Sequence, residues 1–188
     1  MSIRTIDDLD VKGKRVVVRA DLNVPMKDGV VTNTARIDRT VPTLVELANR
    51  GAKVIVLTHL GRPGGERNME FTVAPVAKAL EDALGKKVLF VDDCVGENAV
   101  SVTKSLKDGE FALMENLRFH KEETKNDAAF AKQLAELGDL YVSDAFSASH
   151  RAHASTAGVA DYLPVAAGRL MQAEIEALTN ALEAPKKP

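Results

Sequence analysis

Five short apolar runs punctuate the chain: Arg15-Val16-Val17-Val18-Arg19, Lys53-Val54-Ile55-Val56-Leu57-Thr58, Lys87-Val88-Leu89-Phe90-Val91, Phe111-Ala112-Leu113-Met114 and Leu140-Tyr141-Val142-Ser143. Each is continuous rather than alternating and is bounded by charges or turn residues. That pattern predicts strands covered on both faces, not strands with one wet side. The stretches between them repeat at helical spacing. Ile37, Val41, Leu44, Val45 and Ala48 share one face and stop at Gly51, with Pro42 either beginning the regular part of that helix or kinking it. Further helices are expected over 74–84 before Gly85, over 95–106, and around Phe130, Leu134 and Leu137 before Gly138. A last helix is expected over 165–182, with Met171, Ile175, Leu178 and Leu182 in one stripe. Residues 26–32 read as a small hairpin turning at Asp28-Gly29, and the charged run 121–127 as a solvated loop.

Strand and helix therefore alternate. The expected fold is α/β: three layers, α/β/α, around a mostly parallel, doubly wound, Rossmann-like sheet with right-handed crossovers. Strand order is not contained in the pattern. No internal repeat or low-complexity tract interrupts it.

Composition narrows the function classes. With 188 residues the chain fits one domain, and 45% hydrophobic against 28% charged residues supports a packed core. Aromatics are only 4%, Trp is absent and the net charge is −2, which argues against nucleic acid as a partner. Cys94 is the only cysteine, so an internal disulfide is impossible and a reducing cytoplasm is the expected compartment. A buried structural thiol is the simpler reading of it. No apolar leader or membrane-length segment is seen, and a monomer is the default expectation.

The chemistry gathers just past the strands, where ligands sit in open α/β sheets. Asp21 and Asn23 follow the first strand, His59 and Arg62 the second, Asn116 and Arg118 the fourth, and Asp144, His150 and Arg151 the fifth. Arg36 starts the first helix at the same edge, while the third strand ends in Asp92-Asp93. Asp21 through Pro25 also has the composition of an ordinary turn. Four guanidinium groups around one crevice repel each other, and a multiply charged anion is the simplest compensation, because the guanidinium fork matches phosphate and carboxylate oxygens. Internal pairing with Asp144, Glu115 or the acidic loop is the alternative, which would make this a non-enzymatic anion-binding or interaction domain. Other chemistries find little support. Gly61-Arg62-Pro63-Gly64-Gly65 lacks the Lys-Ser/Thr ending of a P-loop, Gly85-Lys86-Lys87 lacks its upstream glycine, and no dinucleotide fingerprint follows the first strand. His150 and His153 stand three apart without a cysteine pair or a His-Glu motif, so no metal site is expected, and no nucleophile elbow is present.

Four motifs are specific enough to carry a resemblance. Arg19-Ala20-Asp21-Leu22-Asn23-Val24-Pro25, Thr58-His59-Leu60-Gly61-Arg62-Pro63, Glu115-Asn116-Leu117-Arg118-Phe119, and Asp144-Ala145-Phe146 through His150-Arg151-Ala152-His153 resemble the phosphoglycerate kinase family, in order and across essentially the whole chain. The family's chain is about twice as long, so the resemblance is to its N-terminal, substrate-binding half: residues 1–184, with 185–188 a truncated linker and the nucleotide-binding C-terminal domain missing. It implies that Asp21, Asn23, Arg36, His59, Arg62, Arg118 and Arg151 bind 3-phosphoglycerate or 1,3-bisphosphoglycerate. Arg62, Arg118 and Arg151 would hold the phosphate with His59 nearby, Asp21 and Asn23 the hydroxyl side, and Arg36, the catalytic candidate, would face the reacting carboxylate. Mg-ATP and Mg-ADP would belong to the full-length enzyme and not to this chain, which is expected to be inactive alone. Ser147-Ala148-Ser149 departs from the family's usual Gly-Thr-Ala and bears on where Arg151 sits.

Overall fold

The computed structural model describes residues 4–146 and 151–183. The expectations for Ser147-Ala148-Ser149, for His150 and for 185–188 lie outside the described residues. The five apolar runs form strands β1 (Arg15–Arg19), β4 (Lys53–Leu57), β5 (Val88–Val91), β6 (Phe111–Met114) and β7 (Leu140–Ser143). A sixth strand, β8 (Val165–Ala167), completes a sheet of order β5-β6-β4-β1-β7-β8 in which every pairing is parallel. The small hairpin is present as β2 (Met26–Lys27) and β3 (Val30–Val31). It turns through positive φ at Asp28 and Gly29.

Continuity of the runs has the consequence expected of it. Val16 and Val18 point into one apolar layer with Val54 and Val56, while Val17 points into the other with Ile55 and Leu57. The first layer is roofed by α1 (Ala35–Asn49) and α2 (Ala74–Leu84) through Ile37, Leu44, Leu47, Val76 and Leu80. The second is roofed by α3 (Glu97–Ser105) and α4 (Ala128–Ala135) through Ala99, Phe130 and Leu134. Each fully buried Val, Leu or Phe contributes about 1.5–3 kcal/mol, so two such layers account for three-layer packing without a disulfide. Helix α1 is continuous through Pro42, which lies in its interior and leaves one turn without its backbone donor.

One element differs from the sequence reading. The last helix does not begin at residue 165: Val165–Ala167 are β8, and α5 spans Arg169–Glu183. Small apolar residues suit either state, and the exposed edge of β7 decides. Tyr141, Val142 and Ser143 pair with Val165, Ala166 and Ala167, and the Tyr141 N–H bonds the Pro164 carbonyl. Gly168 makes the corner, where a Cβ would come within 2.2 Å of Asp144 Oδ1.

The connections set up the site. Those leaving β1 and β4 run over the α1/α2 face, and those leaving β6 and β7 over the α4 face. Loops that part in this way open a crevice at the carboxyl edge of the sheet.

Candidate functional site

A cleft of about 300 Å³ occupies that crevice. Asp21, Asn23 and Arg36 form one wall, His59, Gly61 and Arg62 the floor after β4, and Arg118, Arg151 and His153 the far side. All seven residues that the resemblance assigns to the acceptor therefore line one cavity, although they come from four strand ends and one helix start, whereas Asn116 and Asp144 do not line it.

Local bonds explain why the loops hold this shape. Asn23 Oδ1 accepts the Gly61 N–H at 3.0 Å, and Thr58 Oγ1 accepts the Leu22 N–H at 3.0 Å, which laces the β1 loop to the β4 loop. Gly61 has φ +59°, and a Cβ there would meet the Phe71 ring at 2.4 Å, so no other residue fits. Asp21 Oδ1 accepts the Asn23 N–H at 3.1 Å and lies 3.5 Å from Arg36 Nη1, which donates to the Asn23 carbonyl. Asn116 stands behind the cleft as a clamp. Its side chain accepts the Leu60 and Arg118 N–H groups and donates to the Leu60 and Phe71 carbonyls.

The internal partners open to the arginines are committed elsewhere. Glu115 takes the Thr72 hydroxyl at 2.6 Å and the Val73 N–H at 2.9 Å. Asp144 is buried and takes the Met171 N–H at 3.1 Å, outside the cleft. Among the described residues, Arg62, Arg118 and Arg151 make no ion pair within 4 Å, and the single such contact of a lining arginine is Arg36 with Asp21. Arg118 bears the consequence: burial pulls its pKa below the usual arginine value, and Arg19, Arg151 and Arg62 add repulsion that Glu123 only partly offsets. Its Nε is buried without a hydrogen-bond partner, and so is His153 Nδ1. Burial together with Arg19 and Arg118 pushes His59 down to about 3, so its ring is neutral at physiological pH.

Several residues were missed by sequence reasoning. Arg19, read as a charge bounding a strand, is fully buried and bonds His59 Nδ1 at 2.8 Å. Glu123, placed in a solvated loop, is also fully buried, with Ser155 on both carboxylate oxygens. The surrounding turns bring it inward, while its charged neighbours Glu122 and Lys125 remain at the surface or partly so. Position parity was the one available signal for Arg19, because Val17 two residues earlier already faces the α3/α4 layer.

Away from the cleft, Asp93, Cys94 and His120 bring three metal-type ligand atoms within 4.8 Å of one another. Asp93 Oδ1 already accepts His120 Nε2–H and the Cys94 N–H, each at 2.7 Å, so this carboxylate ties the loop after β5 to the loop after β6. Among the described residues that line the cleft, Asp21 is the sole carboxylate and is already engaged with Arg36, a poor donor set for a divalent cation.

The sequence model of the phosphoglycerate kinase family matches residues 6–188. Phosphoglycerate kinase of Bradyrhizobium diazoefficiens is 57% identical over 185 residues, covering 98% of this chain and 46% of that protein. That of Rhodospirillum centenum is 56% identical over 188 residues, covering 100% of this chain and 48% of the relative. Among solved structures, phosphoglycerate kinase from Coxiella burnetii superposes with a TM-score of 0.89 at 44% identity, and that from Pyrococcus horikoshii with 0.90 at 37%, each matched over 47% of its length. The chain spans about half the length of the relatives it matches. Fold, loop motifs and these likenesses agree, and the chain belongs to the phosphoglycerate kinase family.

Proposed function

We propose that the cleft binds 3-phosphoglycerate, and 1,3-bisphosphoglycerate in the reverse direction, as the acceptor half of a cytoplasmic glycolytic phosphoglycerate kinase. The observation that carries this is the charge imbalance: four arginines and a neutral histidine face one engaged carboxylate, with Arg118 Nε buried and unpartnered. A phosphate with several oxygens supplies acceptors to all of them, and guanidinium groups bind it bidentately. A volume of about 300 Å³ suits a three-carbon phosphate, at the small end of ligand sites.

In this reading Arg62, Arg118 and Arg151 hold the phosphate, with His59 donating beside them. Asp21 and Asn23 take the hydroxyl side, and Arg36 meets the carboxylate that accepts the phosphoryl group. A carboxylate is ionised at pH 7 with a pKa of roughly 3.5–4, so no general base is required of this chain. Phosphoryl transfer depends on alignment and on neutralising charge over the transferred oxygens, and this reading assigns that task to Arg36, whose side chain is 46% exposed and shares its pairing with Asp21. The sequence carries no P-loop ending in Lys-Ser/Thr. Mg-ATP and Mg-ADP are therefore assigned to a second, nucleotide-binding domain, and the chain alone is expected to bind without turnover.

Thermal unfolding tests the reading. A ligand selective for the folded state raises the midpoint with concentration. 3-Phosphoglycerate is expected to do so at lower concentration than sulfate or inorganic phosphate, with no ATP consumed by the same preparation. Equal shifts from all three anions would reduce the cleft to a general anion site, and ATP-dependent transfer would place a nucleotide site in this chain.

A further inference from the structure

Behind the cleft, four buried side chains form a hydrogen-bonded line whose direction is forced at every link. Glu123 begins it: Oε1 accepts the Ser155 N–H at 2.8 Å, and Oε2 accepts the Ser155 hydroxyl proton. With its proton spent on Glu123, Ser155 Oγ presents a lone pair, which accepts Arg19 Nε–H at 2.9 Å. Tyr141 fixes the same serine from a third side by donating to its carbonyl at 2.7 Å. Arg19 Nη1 donates to the Ala20 carbonyl, and Nη2 lies 2.8 Å from His59 Nδ1. A guanidinium has donors only and keeps its charge. His59 Nδ1 must therefore be the acceptor, and the ring proton sits on Nε2.

We propose that Glu123, Ser155 and Arg19 are positioning residues that hold His59 as the neutral Nε2–H tautomer, so that it donates one hydrogen bond to an oxyanion in the cleft. The proposal rests on the reading of the cleft as a phosphoglycerate site and adds three residues to it, none of which lines the cavity. Burial makes the arrangement costly to break, since Arg19, Glu123 and Ser155 have no solvent-exposed surface. It also excludes the imidazolium, in which both ring nitrogens are donors and Nδ1–H would face Arg19. Arg118 from the loop after β6, His153 from the loop after β7 and Arg36 from α1 act in the same sense, while Asp21 lines the same cleft with the opposite charge and is engaged by Arg36. Glu123, reached through one serine, offsets the buried charge of Arg19 without approaching the anion.

A merely structural line would leave the imidazole free to choose its tautomer once the fold is intact, so the readout is the ring itself. In protein labelled with 15N at histidine, long-range proton–nitrogen spectra separate the two tautomers and the imidazolium. The expected result for His59 is a pure Nε2–H form with no titration from about pH 5.5 to 8, against an unperturbed midpoint near 6.5. Ser155→Ala removes the acceptor of Arg19 Nε. A mixture of tautomers should then appear, with a titration inside that window and 3-phosphoglycerate binding weakened about tenfold, in line with loss of one charge-assisted bond. Ser155→Thr keeps the hydroxyl and should restore the parent spectrum.

An Nδ1–H ring, or ordinary titration near pH 6.5, in the parent protein would overturn the proposal without any variant having to fold. So would a folded Ser155→Ala protein with unchanged tautomer and affinity. The parent spectrum is recorded without ligand. An Nε2–H ring in a protein that does not bind 3-phosphoglycerate would therefore count against the cleft's assignment, and a wrong tautomer with intact binding against the positioning line.

Discussion

Arg118 carries its charge into a place where Arg19, Arg62 and Arg151 already repel it, with its Nε buried and unbonded. Such a group costs the empty protein something and repays it only when an anion arrives. Arg118→Met keeps the aliphatic stem and removes the charge. Its unfolding midpoint without ligand should equal the parent's or exceed it by about 1–3 °C, a change of about 0.3–1.5 kcal/mol for a domain of this size. Affinity for 3-phosphoglycerate should fall about 10- to 100-fold, as expected for removing a charged hydrogen-bonding partner. A clear loss of stability in the empty protein would show that Arg118 is a packing residue first. At this scale the cleft residues were legible because each follows an apolar run and breaks its pattern at once. Arg19 was not, because inside a run it reads as an end marker. Nor was Glu123, because a buried carboxylate in a charged stretch differs from its neighbours only through contacts such as that with Ser155, 32 positions away.

Helix α5 meets the rest of the fold in two ways. Arg169 grips Glu46 at 2.8 and 2.6 Å and Asp7 at 2.8 Å, and it holds both carboxyls below their usual range. Asp144 receives the Met171 N–H at the helix start and leaves its Oδ2 buried without a partner. Burial pushes Asp144 up to about 6 against these favourable bonds. An unfolded aspartate titrates near 3.9, so between roughly pH 4 and 6 the folded chain binds more protons at this site than the unfolded chain. The contribution of Asp144 to stability therefore declines as pH rises through that window, and the deficit persists above it. Asp144→Asn keeps an acceptor for Met171 and removes the charge. The variant should be more stable than the parent at pH 7 by on the order of 1–3 kcal/mol, with the difference shrinking toward zero at pH 4. Denaturant titrations at the two pH values read this directly, and an equal difference at both would show that Asp144 does not titrate there. The five longer strands and most helices were legible because one local period decided each. β8 was not, since three small residues acquire a strand's identity only from the free edge of β7, and sheet order is likewise a long-range property.

At the scale of the whole molecule, a chain with net charge −2 keeps a cationic cleft at the edge of its sheet, and it spans about half the length of its phosphoglycerate kinase relatives. The outer stripe of α5 ends in Leu178 and Leu182, which are 50% and 79% exposed. Every side chain assigned to the acceptor is supplied by this chain, and the lacing of Asn23 to Gly61 and of Asn116 to Leu60 and Arg118 ties together the loops after β1, β4 and β6. The central claim is thus that the acceptor site is complete in this half. Calorimetric titration of 3-phosphoglycerate into the chain, at roughly 50 and 200 mM salt, tests it most directly. The account predicts saturable one-to-one binding that weakens at the higher salt and is tighter than sulfate at both. A folded chain that takes up no 3-phosphoglycerate would contradict it and would mean that the arginines form a site only against a second domain.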